Sequence, residues 1–155
     1  MGSNHDTAAA APGPAILEVR ELMVFFENAI AVNGLSLEVH PGEIVGVIGS
    51  NSAGKTTLMN ALSGLLIDMR TKEKRRGGER ITLYGKIFFN GEEITETTPS
   101  ERVKKGIVLA RERHPVFPES SVLENLRIAG YLRTRAEMKE TIESVFDLFP
   151  HLRKL

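Results

Sequence analysis

The sequence predicts an α/β fold, and three neighbouring segments indicate it. Residues 44–48 form a short apolar, β-branched run that is typical of a strand buried on both faces. Residues 58–66 repeat their apolar side chains at helical spacing. Between them lies a segment that fits the pattern G-x-x-x-x-G-K-[ST]: Gly49-Ser50-Asn51-Ser52-Ala53-Gly54-Lys55-Thr56-Thr57. A strand, a glycine-rich turn and a helix in this order predict a loop that cradles phosphate groups.

The residues of this loop match the requirements of phosphate binding. Gly49 and Gly54 allow the backbone to curl with its N–H groups pointing inward. Those donors and the positive end of the following helix together attract an anion. Lys55 can reach the β- and γ-phosphates, the Thr56 hydroxyl can ligate Mg²⁺, and Thr57 can hydrogen-bond phosphate. A chance match in a glycine-rich turn is the alternative, and the flanking strand and helix argue against it.

Composition limits the remaining classes of function. The 155 residues suffice for one core, and 20 basic against 20 acidic residues give a formal net charge of zero. The field of the whole chain therefore favours no nucleic-acid partner. The sequence contains no cysteine, which excludes thiol catalysis, thiolate metal sites and disulfides. No apolar run approaches the roughly 20 residues of a spanning helix, so we expect any membrane role to come through a partner.

The segments around the loop predict further strands. Residues 1–14, rich in alanine, proline and glycine, are expected to be a disordered tail. Residues 16–26 and 31–39 alternate apolar and polar side chains with no helix between them, which predicts a small antiparallel layer. Asn90-Gly91 predicts a hairpin turn. Residues 106–110 predict a second buried strand.

Helix signals follow in the second half of the chain. Thr98 and Pro99 are typical of a helix start, as a cap and a first-turn residue. Ser121 and Glu124 have the spacing of a capping box, which predicts a helix beginning there. A last helix with one apolar face is expected to end near Pro150.

Several short motifs precede the loop in a fixed order: Phe26, Ala31-Val32, Leu35-Ser36-Leu37 and Pro41-Gly42-Glu43. With the loop, they resemble the start of an ABC-type ATPase domain, a P-loop NTPase with a RecA-like core. The resemblance implies ATP and Mg²⁺ as cofactors, and it implies that Phe26 stacks on adenine. The alternative is that Phe26 belongs to the core, because one of Phe25 and Phe26 must point inward.

A second group of motifs narrows the resemblance. The loop after residue 110 carries Glu112, and Val116-Phe117-Pro118 and Glu124-Asn125-Leu126 follow. These residues resemble the ATPases that serve importers of branched-chain and other hydrophobic amino acids, although Arg111, Arg113 and His114 depart from the pattern. The resemblance implies that Glu112 ligates Mg²⁺ and acts with Lys55 in catalysis, and the alternative is an exposed loop acid. It also implies that Phe117 and Pro118 face a membrane subunit, unless they only support the next helix.

The resemblance implies three divisions after the tail. Residues 15–115 would be the nucleotide-binding core with its antiparallel layer, and residues 116–155 the first part of a helical subdomain. Residues 70–80 are a basic insertion at a place where related domains usually have a shorter loop. We expect a solvated, mobile loop there, and the alternative is a contact for phosphate, acidic lipid or nucleic acid.

Two features of an active ATPase are missing from the sequence. No Leu-Ser-Gly-Gly-Gln signature appears, and no aspartate ends a predicted strand. We therefore expect the first part of such a domain, cut before the signature, which binds nucleotide without turnover. The implied partners are a membrane-spanning permease and a second ATPase subunit, with the chain peripheral on the cytoplasmic face. An alternative is an ABC-type ATPase acting on nucleic acid. A GTPase is disfavoured because Asn-Lys-x-Asp is absent.

Overall fold

The computed structural model describes residues 13–78, 80–112 and 116–154, and these residues form two compact units that divide between Val108 and Leu109. The first unit contains β1 (Leu17–Phe26), β2 (Ala29–Val39), α1 (Lys55–Ser63), α2 (Leu65–Arg75), β3 (Ile81–Phe89), β4 (Glu92–Glu93) and α3 (Pro99–Lys105). The second contains α4 (Val122–Ala129), α5 (Arg135–Leu148) and a 3₁₀ helix (Pro150–Lys154). The division precedes the boundary predicted after residue 115, and most of the predicted tail lies outside the described residues.

The described strands form one antiparallel sheet in the order β2-β1-β3-β4, which confirms the predicted antiparallel layer. Val19 of β1 pairs with Leu37 of β2 and with Ile87 of β3. A bulge interrupts β1 at Glu21, where φ is 46° and both pairings shift register. Gly85 lies opposite, and a Cβ there would come within 2.5 Å of the Glu21 carbonyl oxygen. The bulge therefore requires glycine at position 85.

The structure contains the hairpin turn and the helix starts that short sequence motifs predict. Asn90 and Gly91 adopt φ of 50° and 77° in the turn between β3 and β4, which confirms the hairpin. Reciprocal capping boxes begin α3, α4 and α5, in the pairs Thr98 with Glu101, Ser121 with Glu124, and Thr134 with Glu137. In each box the hydroxyl accepts from a backbone N–H while the glutamate accepts from the cap residue.

The core lies between the inner face of the sheet and the two helices that follow the loop. Its buried side chains are Val19, Leu22, Val24, Val32, Leu58, Ala61, Leu66, Ile81, Ile87 and Ile94. Leu58 and Ala61 come from α1, so burial holds the helix against the sheet. Because the phosphate-loop motif leads directly into α1, this packing also holds the loop in place.

The two predicted buried strands are wrong. Residues 44–48 form no strand, and Ile44 and Ile48 are 97% and 96% exposed. Residues 106–110 also form no strand, with Gly106 capping α3 and Val108 exposed. A strand needs ladder partners for its backbone N–H and C=O groups. All the strand pairings of the described residues belong to the antiparallel sheet, and neither segment joins it.

The predicted loop at residues 70–80 is wrong for its first half. α2 continues to Arg75, and the chain turns only at Arg76 and Gly77. The glycine pair at 77 and 78 ends the helix rather than marking a long loop, while lysine and arginine are good helix formers. Glu79, which belongs to the predicted insertion, lies outside the described residues.

The second unit pairs α4 with α5. Ile142 of α5 is buried, and Met138, Val145 and Phe146 on the same helix are half-buried, as the predicted apolar face requires. Phe149 is the C-cap residue of α5 and Pro150 begins the 3₁₀ helix, which confirms the predicted end. Across the described residues, none of the helices combines the length and apolar character that crossing a bilayer requires.

Candidate phosphate-binding site

The loop before α1 has the tight curl that its motif predicts. The Ala53 N–H donates to the Ser50 carbonyl oxygen at 3.2 Å, and Ser52 adopts a left-handed φ of 67°. Gly54 follows with φ of 87°. A Cβ at Gly54 would lie 2.1 Å from the carbonyl oxygen of Ala31 in β2, a contact with backbone that cannot move aside. Position 54 therefore requires glycine for both its φ and its neighbour.

The first turn of α1 presents backbone donors. Its N-cap, Gly54, has no side chain to accept from them, and the first bond of the helix runs from Leu58 N–H to Gly54 O at 2.8 Å. Within the described residues, the N–H groups of Lys55, Thr56 and Thr57 meet no acceptor. Such orphan donors, at the positive end of a helix, form a donor set that suits an oxyanion. The residues present therefore fit a phosphate group.

Lys55 is folded over the loop. Its Nζ donates to the carbonyl oxygens of Gly49 and Ser50 at 2.7 and 2.6 Å. The ammonium thus lies beside the same backbone segment that supplies the curl, rather than reaching away from it. A phosphate arriving at the first turn of α1 would compete with these two carbonyls for the lysine.

The other predicted loop residues lie at the surface. Ser50, Asn51, Ser52 and Ala53 are exposed, Thr56 is exposed and Thr57 is half-buried. The Thr56 hydroxyl is therefore accessible to a hydrated cation. Among the described residues, no group of three or more His, Asp or Glu side chains could hold a metal ion.

Phe26 packs against the core. It is half-buried and lies beside the buried cluster on the inner face of the sheet. Phe25 faces the other side, where it meets Tyr84 edge-to-face at 6.0 Å. The alternation expected from the strand is thus present, with Phe26 as the inward member of the pair. Its stacking on adenine stays a prediction.

Glu112 lies in the other compact unit. Its side chain is exposed, and its roles in Mg²⁺ binding and catalysis stay predictions. Arg113 and His114, the predicted departures from the family pattern, lie outside the described residues. Val116 and Phe117 are each 54% exposed. The predicted docking of Phe117 and Pro118 against a membrane subunit likewise stays a prediction.

Asn125 is a positioning residue that sequence reasoning did not identify. Its Oδ1 accepts from the Phe117 N–H at 2.7 Å, and its Nδ2 donates to carbonyl oxygens of Phe117, Ser120 and Ser121 at 3.0 to 3.2 Å. One side chain thereby fastens the segment from Phe117 to the start of α4. An asparagine four residues after a capping serine was the available signal.

Arg102 is the second residue that sequence reasoning missed. It is fully buried, and its Nη1 donates to the carbonyl oxygens of Ala61 and Leu62 at 2.6 and 2.9 Å. Those carbonyls end α1, at the opposite end from the phosphate loop. Burial lowers the pKa of the Arg102 guanidinium to about 10, and the Glu96 carboxylate opposes this shift. The guanidinium therefore remains charged at neutral pH.

The remaining donors of Arg102 hold the segment before α3. Nη2 donates to the carbonyl oxygens of Ile94 and Thr95 at 2.5 and 2.9 Å, and Nε donates to the Thr97 hydroxyl at 3.0 Å. The guanidinium thus joins the end of α1 to the segment that follows β4. No sequence signal separates this arginine from the exposed basic residues of the same helix.

A glycine-rich turn that leads into a helix, beside an antiparallel sheet, is consistent with the P-loop class of folds. A family model described as ABC transporter matches residues 32–153, more than half of the chain. The chain therefore belongs to the ABC transporter family.

Individual relatives agree with that assignment. The chain is 32% identical over 135 residues to a probable branched-chain amino acid transport ATP-binding protein, LivF, of Archaeoglobus fulgidus, covering 86% of this chain and 48% of the relative. It is 33% identical over 138 residues to the ribose import ATP-binding protein RbsA of Bacillus subtilis, covering 84% and 25%. The chain thus spans about half the length of the LivF relative and about a quarter of the length of the RbsA relative.

A solved structure supports the fold. A crystal structure of a nucleotide-free ATP-binding cassette from an ABC transporter superposes with a TM-score of 0.61 at 27% identity, covering 81% of this chain and 45% of that chain. The predicted fold class, a partial P-loop ABC ATPase core with an antiparallel β layer, is confirmed.

Proposed function

We propose that this chain is the ATP-binding portion of an ABC transporter ATPase subunit. The observation that carries the proposal is the first turn of α1, where three backbone N–H groups have no acceptor in the described chain. The Lys55 ammonium of the same turn donates to carbonyl oxygens of the preceding loop. Residues 49–57 would bind the phosphates, and Phe26 would contact the adenine. The exposed Thr56 hydroxyl would be a ligand for Mg²⁺, which supplies positive charge beside the phosphates when it is bound. The predicted role of Glu112 in Mg²⁺ binding is part of the same proposal.

The transported substrate is proposed to be a branched-chain or other hydrophobic amino acid. Support comes from the LivF relative and from the Glu112 and Val116-Phe117-Pro118 motifs. The identity to the ribose protein RbsA is as high as that to LivF, so the motifs carry this finer assignment. Uptake of labelled leucine and labelled ribose by cells with and without the gene would test it. Loss of ribose uptake with unchanged leucine uptake would contradict it.

The proposed partners are a membrane-spanning permease and a second ATPase subunit, with this chain peripheral on the cytoplasmic face. Phe117 and Pro118 are exposed and fastened through Asn125, which suits a surface that meets a partner in a defined position. We expect this chain alone to bind nucleotide without turning it over, because no aspartate of the sequence follows a strand as a Mg²⁺ ligand. Phosphate release faster than that of a Lys55→Ala variant would contradict this expectation.

The decisive measurement is nucleotide affinity. A fluorescent ATP analogue with Mg²⁺ would be titrated against the wild type, Lys55→Ala and Lys104→Ala, the last being an exposed lysine on α3. Loss of charge-assisted hydrogen bonds is expected to weaken binding by about ten- to a hundredfold in Lys55→Ala. The Lys104→Ala protein should match the wild type. Equal affinity of all three proteins would refute the assignment of residues 49–57.

A further inference from the structure

The C-terminal half of α2 and the turn after it concentrate positive charge. Residues 70–80 contain six basic residues against two acidic ones, a net charge of +4, in a chain whose formal net charge is zero. The remainder of the chain is therefore net negative. A positively charged patch on a protein of zero net charge causes the protein to orient in an external electric field.

Nearby acids are already paired. Lys72 Nζ lies 2.8 Å from Asp68 Oδ2, one turn earlier on the helix, and Arg70 contacts Glu96. Arg80 lies within 3.6 Å of both Glu27 and Glu73. The acidic side chains of these ion pairs around α2 therefore already have a basic partner.

Three consecutive basic residues at the end of α2 are not part of these ion pairs. Lys74, Arg75 and Arg76 are exposed, and within the described chain none of them has an acidic partner. We refer to these three residues as the α2 basic end. Compensation of the negative end of the helix dipole accounts for about half a unit charge, much less than the charge present here.

The orientation of α2 keeps this charge at the surface. Leu66 and Ile67 are buried, which turns the opposite side of the helix to solvent. Met69 is 41% exposed and shares that side with Lys72 and Arg76, at spacings of three and four residues. Beyond Arg76, Gly77 is exposed and a Cβ there would have nothing within 4 Å in the described chain.

We propose that the α2 basic end binds a surface of phosphate-bearing anionic lipid headgroups. This inference rests on the proposed function, which brings the chain to the cytoplasmic face of a membrane. Anionic lipids give that face a negative potential that attracts cations within about a Debye length, roughly 8 Å at physiological ionic strength. Met69, which is exposed earlier on the same helix, suits contact with an interface between headgroups and acyl chains.

A lipid surface fits this patch better than nucleic acid does. Nucleic-acid binding at physiological salt typically uses several phosphate contacts along a basic stripe, often with aromatic side chains for stacking. The α2 basic end is a compact cluster, and the segment from 70 to 80 contains no aromatic residue. The headgroups of a lipid surface are separate single charges, so binding them does not require basic residues arranged in a continuous stripe.

Vesicle co-sedimentation of the whole chain tests the proposal. Vesicles of equal parts phosphatidylglycerol and phosphatidylcholine would be compared with phosphatidylcholine alone. The variant would carry Lys74→Gln, Arg75→Gln and Arg76→Gln. The matched control, with the same change of net charge, would carry Arg133→Gln, Arg135→Gln and Lys139→Gln, three exposed residues of the second unit.

Binding to the anionic vesicles alone is expected, with a loss on the order of a hundredfold in the partition coefficient of the α2 variant. The control should remain close to the wild type. Equal binding by the α2 variant and the wild type would overturn the proposal, and so would equal losses in both triple variants. Displacement from vesicles by inorganic phosphate, but not by chloride of equal ionic strength, would instead indicate a site for the free ion and overturn it.

Two further measurements distinguish this proposal from nucleic-acid binding and from the proposed function. Tighter binding to a DNA duplex than to anionic vesicles, lost in the α2 variant, would replace the lipid surface with nucleic acid. Lys55→Ala is expected to bind vesicles normally while losing nucleotide affinity. If the wild type binds vesicles through the α2 basic end but binds no nucleotide, the proposed function fails and the surface contact stands. If it binds nucleotide but no vesicles, only the surface contact fails.

Discussion

The two ends of α1 differ in how their unpaired backbone groups find hydrogen-bond partners. Every α-helix leaves N–H groups without partners at its start and C=O groups without partners at its end. At the end of α1, the buried guanidinium of Arg102 donates to the carbonyl oxygens of Ala61 and Leu62. At the start, Gly54 offers no side chain, and the first N–H groups find no acceptor in the described chain.

The difference separates the part of α1 that stabilises the fold from the part that is available for binding. At the C-terminal end, a buried charged group donates to the carbonyl oxygens of Ala61 and Leu62, so this end contributes to the free energy of folding. The N-terminal end lies at the surface, where water can serve its donors until an anion takes their place. Both ends belong to one nine-residue helix about 13 Å long, so a rigid support lies close to an adaptable site.

The largest effect is expected at the supported end. Replacing Arg102 with methionine keeps much of its volume but removes the donors of the Leu62 and Thr95 carbonyl oxygens, which have no other donor in the described chain. The carbonyl oxygens of Ala61 and Ile94 also lose the guanidinium but keep the N–H groups of Gly64 and Thr97. Since each unsatisfied group costs about 1–3 kcal/mol, the free energy of unfolding should fall by about 4 kcal/mol. Urea unfolding followed by circular dichroism measures it.

Two variants control this experiment. Arg102→Lys keeps the charge without the planar fork of donors, so an intermediate loss is expected. Lys104→Met, at an exposed position of the same helix, should leave stability nearly unchanged. A stability of Arg102→Met within experimental error of the wild type would show that the buried guanidinium does not support α1.

A smaller effect is expected at the binding end. Gly54→Ala introduces a Cβ at positive φ, 2.1 Å from the Ala31 carbonyl oxygen, and should cost about 3 kcal/mol of stability together with nucleotide affinity. Gly42→Ala is the matched control because Gly42 also has positive φ, 77°, but its Cβ would meet nothing within 4 Å. That variant should lose only about 1 kcal/mol, from backbone strain. Equal losses in the two variants, measured by thermal unfolding, would show that the contact with β2 is unimportant.

The smallest effect concerns a helix that does cap its own start. Thr98→Ala removes the hydroxyl that accepts from the Glu101 N–H in α3 and should cost about 1 kcal/mol. Thr98→Ser should restore most of the loss. A Thr98→Ala protein with unchanged thermal stability would contradict the role of the cap.

The same cap predicts a dependence on pH. Hydrogen bonds from the Thr98 hydroxyl and backbone lower the pKa of Glu101 below its ordinary value of 4.5. A glutamate with a lowered folded-state pKa stabilises the fold above its unfolded-state pKa, and that contribution disappears as the pH falls through the folded-state value. The stability difference between wild type and Thr98→Ala should therefore shrink in acid below pH 4.5. A constant difference across that range would exclude the contribution of the carboxylate.

Elements with local signals were predictable from the sequence. Asn90-Gly91 predicted its hairpin because only a few residues tolerate the positive φ of such a turn, and Thr98 predicted α3 because a cap acts within four residues. The turn before α1 was predictable for the same reason, because it depends on the positive φ that Gly54 adopts. Each of these signals depends on neighbours in the chain.

Features that depend on distant residues were not predictable. Residues 44–48 have the composition of a buried strand, but composition cannot supply the neighbouring strand that a ladder needs. Arg102 has the appearance of a surface residue in its helix, and its burial depends on carbonyl groups about forty positions earlier in the chain. The dense charge of residues 70–80, with a glycine pair inside, indicated a solvated loop, but lysine and arginine are also good helix formers and α2 continues to Arg75.

The position of Lys55 has a consequence for how tightly the loop can hold a nucleotide. Its ammonium already donates to two carbonyl oxygens of its own loop. Binding is therefore an exchange of partners, in which the nucleotide's oxygens must outcompete Gly49 and Ser50. The measured affinity reports only the surplus of the new contacts over the old ones. Breaking these two hydrogen bonds costs the same free energy whichever anion arrives, so it lowers the affinity for all of them without changing their order.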